Sequence, residues 1–213
     1  MSGFFLTIEG IDGAGKSTHL PFIAERLRDM GRQVVMTREP GGTAFGEKLR
    51  AIALNEDMAS HTEMLIMFAS RREHCERLIW PAIQKGQTVV CDRFTDATVA
   101  YQGHGRGLGA DTVRALANWT HPNFKPNLTL WFDTPVDMAL ARLDAHRAAP
   151  DRFEREKAMF FEKVRAGYEH ICTAEPQRVH RIDSSVPLAE VEQQIVTVLG
   201  KFFHAPAQQL SLF

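Results

Sequence analysis

The segment IEGIDGAGKST, residues 8–18, constrains the fold of this chain more than any other stretch. It follows the apolar run FFLTIE and matches the pattern G-x-x-x-x-G-K-[ST], whose fixed positions are Gly10, Gly15, Lys16 and Ser17. Glycines at these positions let successive backbone N–H groups converge on a phosphate, and the helix that follows adds the positive end of its dipole. The segment predicts a phosphate-binding loop between a strand and a helix; the alternative is a plain glycine-rich turn.

The side chains of this loop have separate predicted roles. Lys16 is placed to reach the β and γ phosphates of ATP, and Ser17 to ligate Mg²⁺. We expect ATP to contact Gly10, Gly13, Ala14, Gly15, Lys16, Ser17 and Thr18. Asp12 is unexpected here, because an acid close to bound phosphates is electrostatically costly. Its carboxylate has either a turn-stabilising role or a role towards a second ligand.

A second nucleotide motif is predicted at the end of the apolar run TVVCD. Its last residue, Asp92, is placed to hold Mg²⁺ or the waters of Mg²⁺, although an acid at a strand end is also a common helix cap or turn residue. The sequence contains no NKxD motif of the kind that GTPases use to recognise guanine. The chain is also short for a mechanical ATPase. These features favour a small kinase.

Hydrophobic periodicity predicts an α/β fold with a parallel sheet. Five short runs rich in β-branched and aromatic residues alternate with longer amphipathic segments: FFLTIE, QVVMTR, TVVCDR, NLTLWFD and RVHRID. Ser60 with Glu63, and Asp151 with Glu154, have the spacing of capping boxes and predict two helix starts.

Composition limits the classes of partner and the organisation of the chain. With 213 residues, 24% of them charged, and a net charge of -1, the chain fits one domain and lacks the basic field needed for bulk attraction to nucleic acid or membrane. We expect a kinase domain at 1–203 and a tail at 204–213. The glycine-rich segment 101–110 and the basic segment 144–152 are predicted to be surface loops.

Three scattered cysteines, Cys75, Cys91 and Cys172, give neither a disulfide framework nor zinc-ligand spacing. The first residues lack the basic region and long apolar run of a signal peptide, and no run is long enough to span a bilayer. We therefore expect a reducing, cytoplasmic location.

Four motifs together resemble the bacterial-type thymidylate kinases: TREPGG (37–42), DRF (92–94), AYQGHGRG (100–107) and the acid within GIDGAGKS. The likeness extends from about Phe4 to Asp183. It implies a P-loop nucleoside-monophosphate-kinase fold with a five-stranded parallel sheet flanked by helices, and a homodimer. It also implies Mg²⁺-dependent transfer of the ATP γ-phosphoryl group to dTMP, which yields dTDP.

The resemblance also implies a dTMP site formed by Asp12, Arg38, Phe68, Arg72, Arg93, Thr98, Tyr101 and Gln102. In this assignment Arg93 grips the dTMP phosphate and is catalytic together with Lys16, and Asp12 accepts a hydrogen bond from the sugar 3′-hydroxyl. Tyr101 crowds the ribose 2′ position. Arg38 lies at another strand end facing the same crevice, and its alternative role is a surface ion pair.

The thymine base is assigned to one helix face and the segment that follows DRF. Phe68 and Arg72 are four residues apart and share a helix face, so the resemblance implies that Phe68 stacks on thymine and Arg72 bonds its carbonyl oxygen. The alternative for Phe68 is a core aromatic. Thr98 and Gln102 are candidates for the N3 edge. Phe94 and Ala97 stand where the family commonly has tyrosine and serine, which removes two hydroxyl groups near the base.

The basic segment at about 142–153 resembles the lid that covers ATP in this family. The resemblance places Arg142 on the adenine ring and lets Arg147 and Arg152 reach the transferring phosphoryl group as catalytic residues. Gly13 occupies the loop position where other members have an arginine, which favours catalytic arginines in the lid. The alternative is a charge-rich surface helix.

Two other functions are compatible with the same motifs. A deoxynucleoside kinase would take an unphosphorylated acceptor, and a non-catalytic P-loop module would bind ATP without turnover. Separately, the final residues QLSLF, Gln209–Phe213, are similar to the short peptide with which bacterial replication proteins dock on the sliding clamp. The alternative is a tail that packs on its own surface or stays disordered.

Overall fold

The carboxyl ends of five parallel strands meet at one edge of a central sheet, and the predicted site residues gather at this edge. A computed structural model describes residues 3–143 and 152–203. Within them the strands are β1 Phe4–Glu9, β2 Val34–Arg38, β3 Thr88–Asp92, β4 Leu128–Asp133 and β5 Val179–Asp183. Their order is β2-β3-β1-β4-β5, and every pairing is parallel. The predicted five-stranded parallel sheet is confirmed, and each strand boundary lies within one residue of the predicted run.

The burial of the strands explains this order. Every residue of β4 is buried, and only the first residue of β1 is partly exposed, because helices cover both faces of the sheet. The two edge strands are more exposed, since none of the five residues of β2 and only two of the five residues of β5 are fully buried. A polar pair, Thr7 and Thr129, joins the hydroxyl groups of β1 and β4 at 2.7 Å inside the sheet.

The helices connect the strands and supply the walls of the site. They are α1 Lys16–Asp29, α2 Ala44–Asn55, α3 Ser60–His74, α4 Trp80–Gln84, α5 Thr95–Thr98, α6 Ala110–Thr120, α7 Val136–Leu143, α8 Arg152–Ala174 and α9 Leu188–Phe202. Two π-helical segments, Cys75–Ile79 and Val99–Gly105, continue α3 into α4 and extend α5. The helical run through α4 ends near Gly86, whose φ of 76° only glycine adopts freely.

The capping box predicted at Ser60 is wrong. The cap position of α3 is Ala59, and no side chain caps the helix there. The Glu63 carboxylate bonds Gln102 and Arg106 instead of the helix start. Of the second capping box, Asp151 lies outside the described residues, and the side chain of Glu154 is not described.

The surface loop predicted at 101–110 is wrong for its first half. Residues up to Gly105 are π-helical, and Gln102 and Gly103 are buried. A side chain at Gly105 would collide with the ring of Phe160 on α8, so glycine here permits close helix packing. Sequence reasoning assigned the glycines to a turn, whereas the tertiary contact with α8 requires them.

Two apolar clusters pack on the sheet. The larger takes buried residues from β1, β3, β4 and β5 and extends from Leu6 to Phe203. The smaller surrounds Phe5, Cys75 and Phe94. In the described part of the chain, no helix is long and apolar enough to cross a membrane.

Candidate active site

A cavity of about 860 Å³ opens at the carboxyl ends of the strands, where parallel α/β sheets bind their ligands. It is lined by these residues of the sequence-predicted site: Asp12, Gly13, Gly15, Lys16, Ser17, Thr18, Arg38, Asp92, Arg93, Thr98, Tyr101, Gln102 and Arg142. Four predicted residues do not line it: Gly10, Ala14, Phe68 and Arg72. Arg147 lies outside the described residues, and the side chain of Arg152 is not described.

The phosphate loop has the backbone that its sequence predicts. Gly10, Gly13 and Gly15 have φ values of 139°, 81° and 87°, which disfavour any residue with a Cβ. A side chain at Gly13 would also meet the backbone carbonyl of Ala139 on α7. No side chain caps α1 at Gly15, so the first N–H groups of this helix remain available to an anion.

Lys16 is folded back onto this loop. Its Nζ donates to the carbonyl oxygens of Gly10 and Ile11, both at 3.0 Å. Burial lowers the pKa of Lys16 to about 8, and the nearby cation Arg93 acts in the same direction. The positive charge of Lys16 is therefore less stable than that of an exposed lysine, and a bound anion would stabilise it.

Asp92 carries the feature that best fits a cation. It ends β3 and lines the cavity, and its buried Oδ1 has no hydrogen-bond partner among the described residues. Ser17 lines the same cavity from the first turn of α1. The described residues contain no cluster of three or more potential protein ligands, so a metal held here would take most of its ligands from elsewhere.

Asp12, Arg93 and Tyr101 form one connected group beside the loop. The Arg93 guanidinium donates to Asp12 Oδ1 at 2.8 Å and to the Tyr101 hydroxyl at 3.0 Å, and it lies 4.6 Å from the centre of the Tyr101 ring. Tyr101 in turn donates to Asp12 Oδ2 at 3.4 Å. The structure therefore brings together the three residues that the sequence assigned to phosphate, sugar and 3′-hydroxyl.

Arg93 has an unusual backbone for a non-glycine residue. Its φ is 73°, and its N–H donates to the Ile8 carbonyl at 2.9 Å. A left-handed arginine costs conformational energy, so the surrounding contacts must fix it. Burial alone would lower the pKa of Arg93, but Tyr101, Tyr168 and Asp12 raise it above its ordinary value. The guanidinium therefore stays charged at the cavity wall.

Behind this group, Glu9 is fully buried at the end of β1. It accepts hydrogen bonds from the Phe94 N–H at 2.7 Å and the Tyr168 hydroxyl at 2.9 Å. Burial, together with the nearby Asp96, raises the pKa of Glu9 to about 8. Its surroundings therefore favour the protonated form of Glu9 more than water does.

Arg72 does not reach the cavity, which corrects its assignment to a bound base. It pairs with Glu76, donates to the Thr120 carbonyl at 2.7 Å and lies over the ring of Trp80. Phe68 also matches its alternative interpretation, since only 4% of it is exposed and it belongs to the larger core cluster. The predicted shared face exists, but it faces α6 and the core.

Arg71, one residue earlier, occupies the cavity wall instead. It is 2% exposed, and it donates to Glu39 Oε2 at 2.7 Å and to the Thr98 hydroxyl at 2.9 Å. Glu39 is held from its other side by His74, whose Nδ1 lies 3.0 Å from Glu39 Oε1. The Nη1 of Arg71 is buried without a partner among the described residues. Arg71 lines the cavity, and this unpaired donor would gain a partner from an acceptor bound against it.

Two further arginines lie on the β2–α2 side of the cavity. Arg38 is half exposed and pairs with Glu47 at 2.9 Å, as its alternative interpretation proposed, while still lining the cavity. The Gly42 N–H and Arg38 hold the pKa of Glu47 below its ordinary value. Arg50 lines the cavity and donates to the Pro40 carbonyl at 2.9 Å.

Arg142 joins α7 to the phosphate loop. Its guanidinium donates to the Gly13 carbonyl at 3.3 Å and to the Ser184 carbonyl, just after β5, at 2.9 Å. It is exposed and borders the cavity at the loop end. This position is next to the loop that would hold the phosphates of a nucleotide.

Sequence reasoning missed several polar lining residues: Glu39, Arg50, Glu63, Arg71 and Arg106. The sequence contained a signal for two of them: Glu39 belongs to the TREPGG segment, and Arg71 is next to Arg72. The sequence assigned Glu63 to a helix cap and placed Arg106 in the AYQGHGRG motif, and neither pattern indicates that these two side chains pair at the cavity.

Comparisons with known proteins show which family has a similar sequence and fold. A family model described as thymidylate kinase matches residues 8–195. A thymidylate kinase of Bordetella petrii is 54% identical over 204 residues, covering 96% of this chain and 98% of the relative. One of a Janthinobacterium species is 53% identical over 199 residues, covering 93% and 97%. A crystal structure of thymidylate kinase from Ehrlichia chaffeensis superposes with a TM-score of 0.76 at 32% identity, covering 93% of this chain and 99% of that one.

Proposed function

This chain belongs to the thymidylate kinase family, and we infer that it phosphorylates dTMP to dTDP in the cavity bordered by its phosphate loop. ATP is the phosphoryl donor in this proposal. We assign the two substrates to this cavity because it has hydrogen-bond donors in two places. Lys16 and the uncapped N–H groups of α1 lie at the phosphate loop, and the unpaired Arg71 Nη1 lies in another wall. Arg93 lines the space between donor and acceptor phosphates.

The charged residues at the phosphate loop are suited to phosphoryl transfer. The phosphate of dTMP has a second pKa of about 6, so its attacking oxygen is already ionised at neutral pH and no general base is required. The remaining task is to bring two polyanions together in line and to stabilise the charge on the transferring group. Lys16 and Arg93 hold positive charge at the cavity wall for this purpose.

We propose Mg²⁺ as the cofactor, with Ser17 and Asp92 as its protein contacts. The unpaired, buried Oδ1 of Asp92 and the hydroxyl of Ser17 are hard oxygen ligands. Mg²⁺ is commonly held by one or two carboxylates while phosphates and waters fill its other positions, which suits a site with few protein ligands. Bound there, Mg²⁺ would neutralise charge on the ATP phosphates.

For the acceptor, we propose Asp12, Arg38, Arg93, Thr98, Tyr101 and Gln102, and we replace Arg72 by Arg71. The buried Nη1 of Arg71 suits a base carbonyl oxygen, because an unpaired buried donor gains most from an acceptor. Arg93 is suited to the dTMP phosphate and Asp12 to the sugar 3′-hydroxyl, since these two side chains already touch. Phe68 would support Arg71 from behind, with its ring centre 4.8 Å from the guanidinium.

A screen of nucleoside monophosphates with ATP, followed by coupled ADP release, tests the proposed function. We expect strong activity with dTMP and weaker activity with dUMP, because one methyl group gives only about 1–3 kcal/mol of discrimination. Thymidine should not be phosphorylated. Turnover of thymidine but not dTMP would indicate a deoxynucleoside kinase, and ATP binding without any turnover would indicate a binding module.

The ATP side of the proposal includes Arg142, Arg147 and Arg152, of which the last two act on the transferring phosphoryl group. It is supported by Gly13, where α7 leaves no space for a loop arginine, and by the contact of Arg142 with the loop. Replacing Arg147 or Arg152 by alanine should lower kcat far more than it changes the KM for dTMP. An unchanged kcat in both variants would remove them from the mechanism.

We also propose a homodimer. Trp119 on α6 is 81% exposed and Leu65 on α3 is 55% exposed, and the two helices pack side by side. Contiguous exposed apolar patches mark protein interfaces, and we propose that these side chains on neighbouring helices contribute to one. Sedimentation should show a dimer for the parent and a monomer for the double variant Leu65→Asp, Trp119→Glu. A parent that sediments as a monomer at micromolar concentration would exclude the dimer.

The C-terminal segment supports a proposal about a protein partner. We treat 1–203 as one kinase domain and 204–213 as a tail whose last residues, Gln209–Phe213, dock on the bacterial sliding clamp; the tail lies outside the described residues. The full chain should capture purified clamp, whereas a chain ending at Ala207 should not. Equal capture by both chains would end this proposal.

We propose a cytoplasmic location. Within the described residues all three cysteines are free, and Cys75 and Cys91 are buried, which suits a reducing compartment. Fractionation of a bacterial cell that expresses the tagged chain should place it with cytoplasmic markers; recovery in the periplasm would contradict this.

A further inference from the structure

The side-chain amide of Gln102 is held in one orientation by the carboxylate of Glu63, which the sequence assigned only to a helix cap. Its Nε2 donates to Glu63 Oε1 at 2.6 Å, a short distance for an N–H···O bond and typical of one assisted by charge. Gln102 is 5% exposed and lines the cavity. In the described part of the molecule, no group donates to its Oε1.

Glu63 is itself fixed from a second side. Its Oε2 accepts from Arg106 at 3.2 Å, and the Arg106 guanidinium lies 5.0 Å from the centre of the Phe160 ring. A carboxylate offers only acceptors, so the reverse amide orientation would set Oε1 of Gln102 against another oxygen. Gln102 must therefore turn Nε2 towards Glu63 and leave Oε1 as its free acceptor.

The free acceptor of Gln102 and the free donor of Arg71 belong to residues that line the same cavity. Arg71 bonds Thr98, and Gln102 follows Thr98 by four residues, one turn along the same helical segment. One donor and one acceptor in the same cavity match the O4 and N3–H of thymine. Cytosine inverts both groups, because its 4-amino group donates and its N3 accepts.

We propose that Glu63 is a positioning residue that fixes the amide of Gln102, and thereby makes the cavity select a 4-oxo pyrimidine over a 4-amino pyrimidine. This inference rests on the proposed function and adds to it the source of selectivity for the base. Glu63 acts through Gln102 and need not touch the substrate.

The test is the ratio of kcat/KM for dTMP to kcat/KM for dCMP in the full-length chain. Glu63→Gln preserves shape but can donate to Gln102 Oε1, so it permits the reversed amide that matches cytosine. We expect the ratio to fall roughly tenfold or more, because sites built around specific hydrogen bonds discriminate strongly only while those groups are fixed. The KM for dTMP should rise more than kcat falls.

Two further variants separate positioning from folding. Glu63→Ser removes the carboxylate without restoring an acceptor of the same reach, and should also lower the ratio. Glu73→Gln is the matched control, because Glu73 lies on the same helix, pairs with Arg77 and does not line the cavity; its ratio should equal that of the parent. Melting temperatures of all variants accompany the kinetics.

The outcomes distinguish this inference from the proposed function. A parent without dTMP activity would contradict the function itself. A parent that prefers dTMP, with an unchanged ratio in a folded Glu63→Gln variant, would overturn the role of Glu63 alone. Loss of the folding transition in both Glu63 variants would assign Glu63 to the fold and would overturn the role as well.

Discussion

The two ends of the cavity are built in different ways. At the phosphate loop, one continuous segment supplies the glycine backbone, the helix start and Lys16. The other end is the wall around Arg71, called the assembled wall below. Its side chains come from the loop after β2, from α3, from α5 and from a π-helical segment, which are far apart in sequence. The first end depends on local backbone geometry, and the second depends on how helices pack.

This difference sets how each end should respond to mutation. A single change in the phosphate loop removes an interaction with the group that reacts, and its effect should appear in kcat. A change in the assembled wall alters recognition of the base, and its effect should appear first in the KM for dTMP. The predictions that follow test this division.

Lys16→Met should have the largest effect. We expect kcat/KM to fall by at least ~10³-fold, because in the proposed function the lost cation stabilises charge on the transferring group. Coupled ADP release measures the rate. Lys85→Met, which alters an exposed lysine after α4, should retain parental activity. A Lys16→Met variant within tenfold of the parent would mean that the loop lysine is not part of the chemistry.

Replacement of two adjacent arginines tests the assembled wall. Arg71→Lys should raise the KM for dTMP by about 100-fold, because lysine keeps the charge next to Glu39 but lacks the guanidinium fork. Arg72→Lys should change that KM less than about threefold, since Arg72 bonds Glu76 and Thr120 outside the cavity. Steady-state kinetics at saturating ATP measures both. The opposite ranking would restore Arg72 as the base-binding residue.

These two arginines also show how far the sequence could predict the site. Relative to Phe68, positions three and four residues later lie on either side of the same helix face, so spacing alone cannot say which arginine enters the cavity.

The strands were predictable to within one residue because buried β-branched runs depend on local pattern. The phosphate loop was predictable because its glycines fix the backbone locally. The Glu63–Gln102 contact was not, because it joins residues on separate elements.

The π-helical segment illustrates a second limit. Glycine-rich sequence at 101–110 indicates a turn when only propensity is considered. Packing against α8 reverses that expectation, because Gly105 leaves space for Phe160 and places Gln102 in the wall. Tertiary contact thus determined both the helix and the position of a candidate binding residue.

Asp12→Ala tests the residue at which the two ends meet. Asp12 lies in the phosphate loop but bonds Arg93 and Tyr101, which we propose as acceptor-binding residues. We expect kcat/KM for dTMP to fall about 30-fold while the KM for ATP changes less than about threefold, because the lost contacts serve the acceptor. Steady-state kinetics with each substrate varied in turn measures both values. A variant that loses only ATP affinity would place Asp12 with the donor.

The smallest predicted effect is a pH dependence of ATP binding that only the phosphate-loop end should show. Burial lowers the pKa of Lys16 to about 8 in the free protein, and bound phosphates stabilise its charged form. Above pH 8 the free protein must therefore take up a proton to bind ATP, so affinity should fall about tenfold between pH 7 and pH 9. Calorimetry in two buffers of different ionisation enthalpy measures the affinity and the proton uptake together. Lys16→Arg is the control, because its guanidinium stays charged throughout this range and its affinity should not change with pH. An equal pH dependence in both proteins would mean that another group takes up the proton. It would contradict the proposal that ATP phosphates bind charged Lys16.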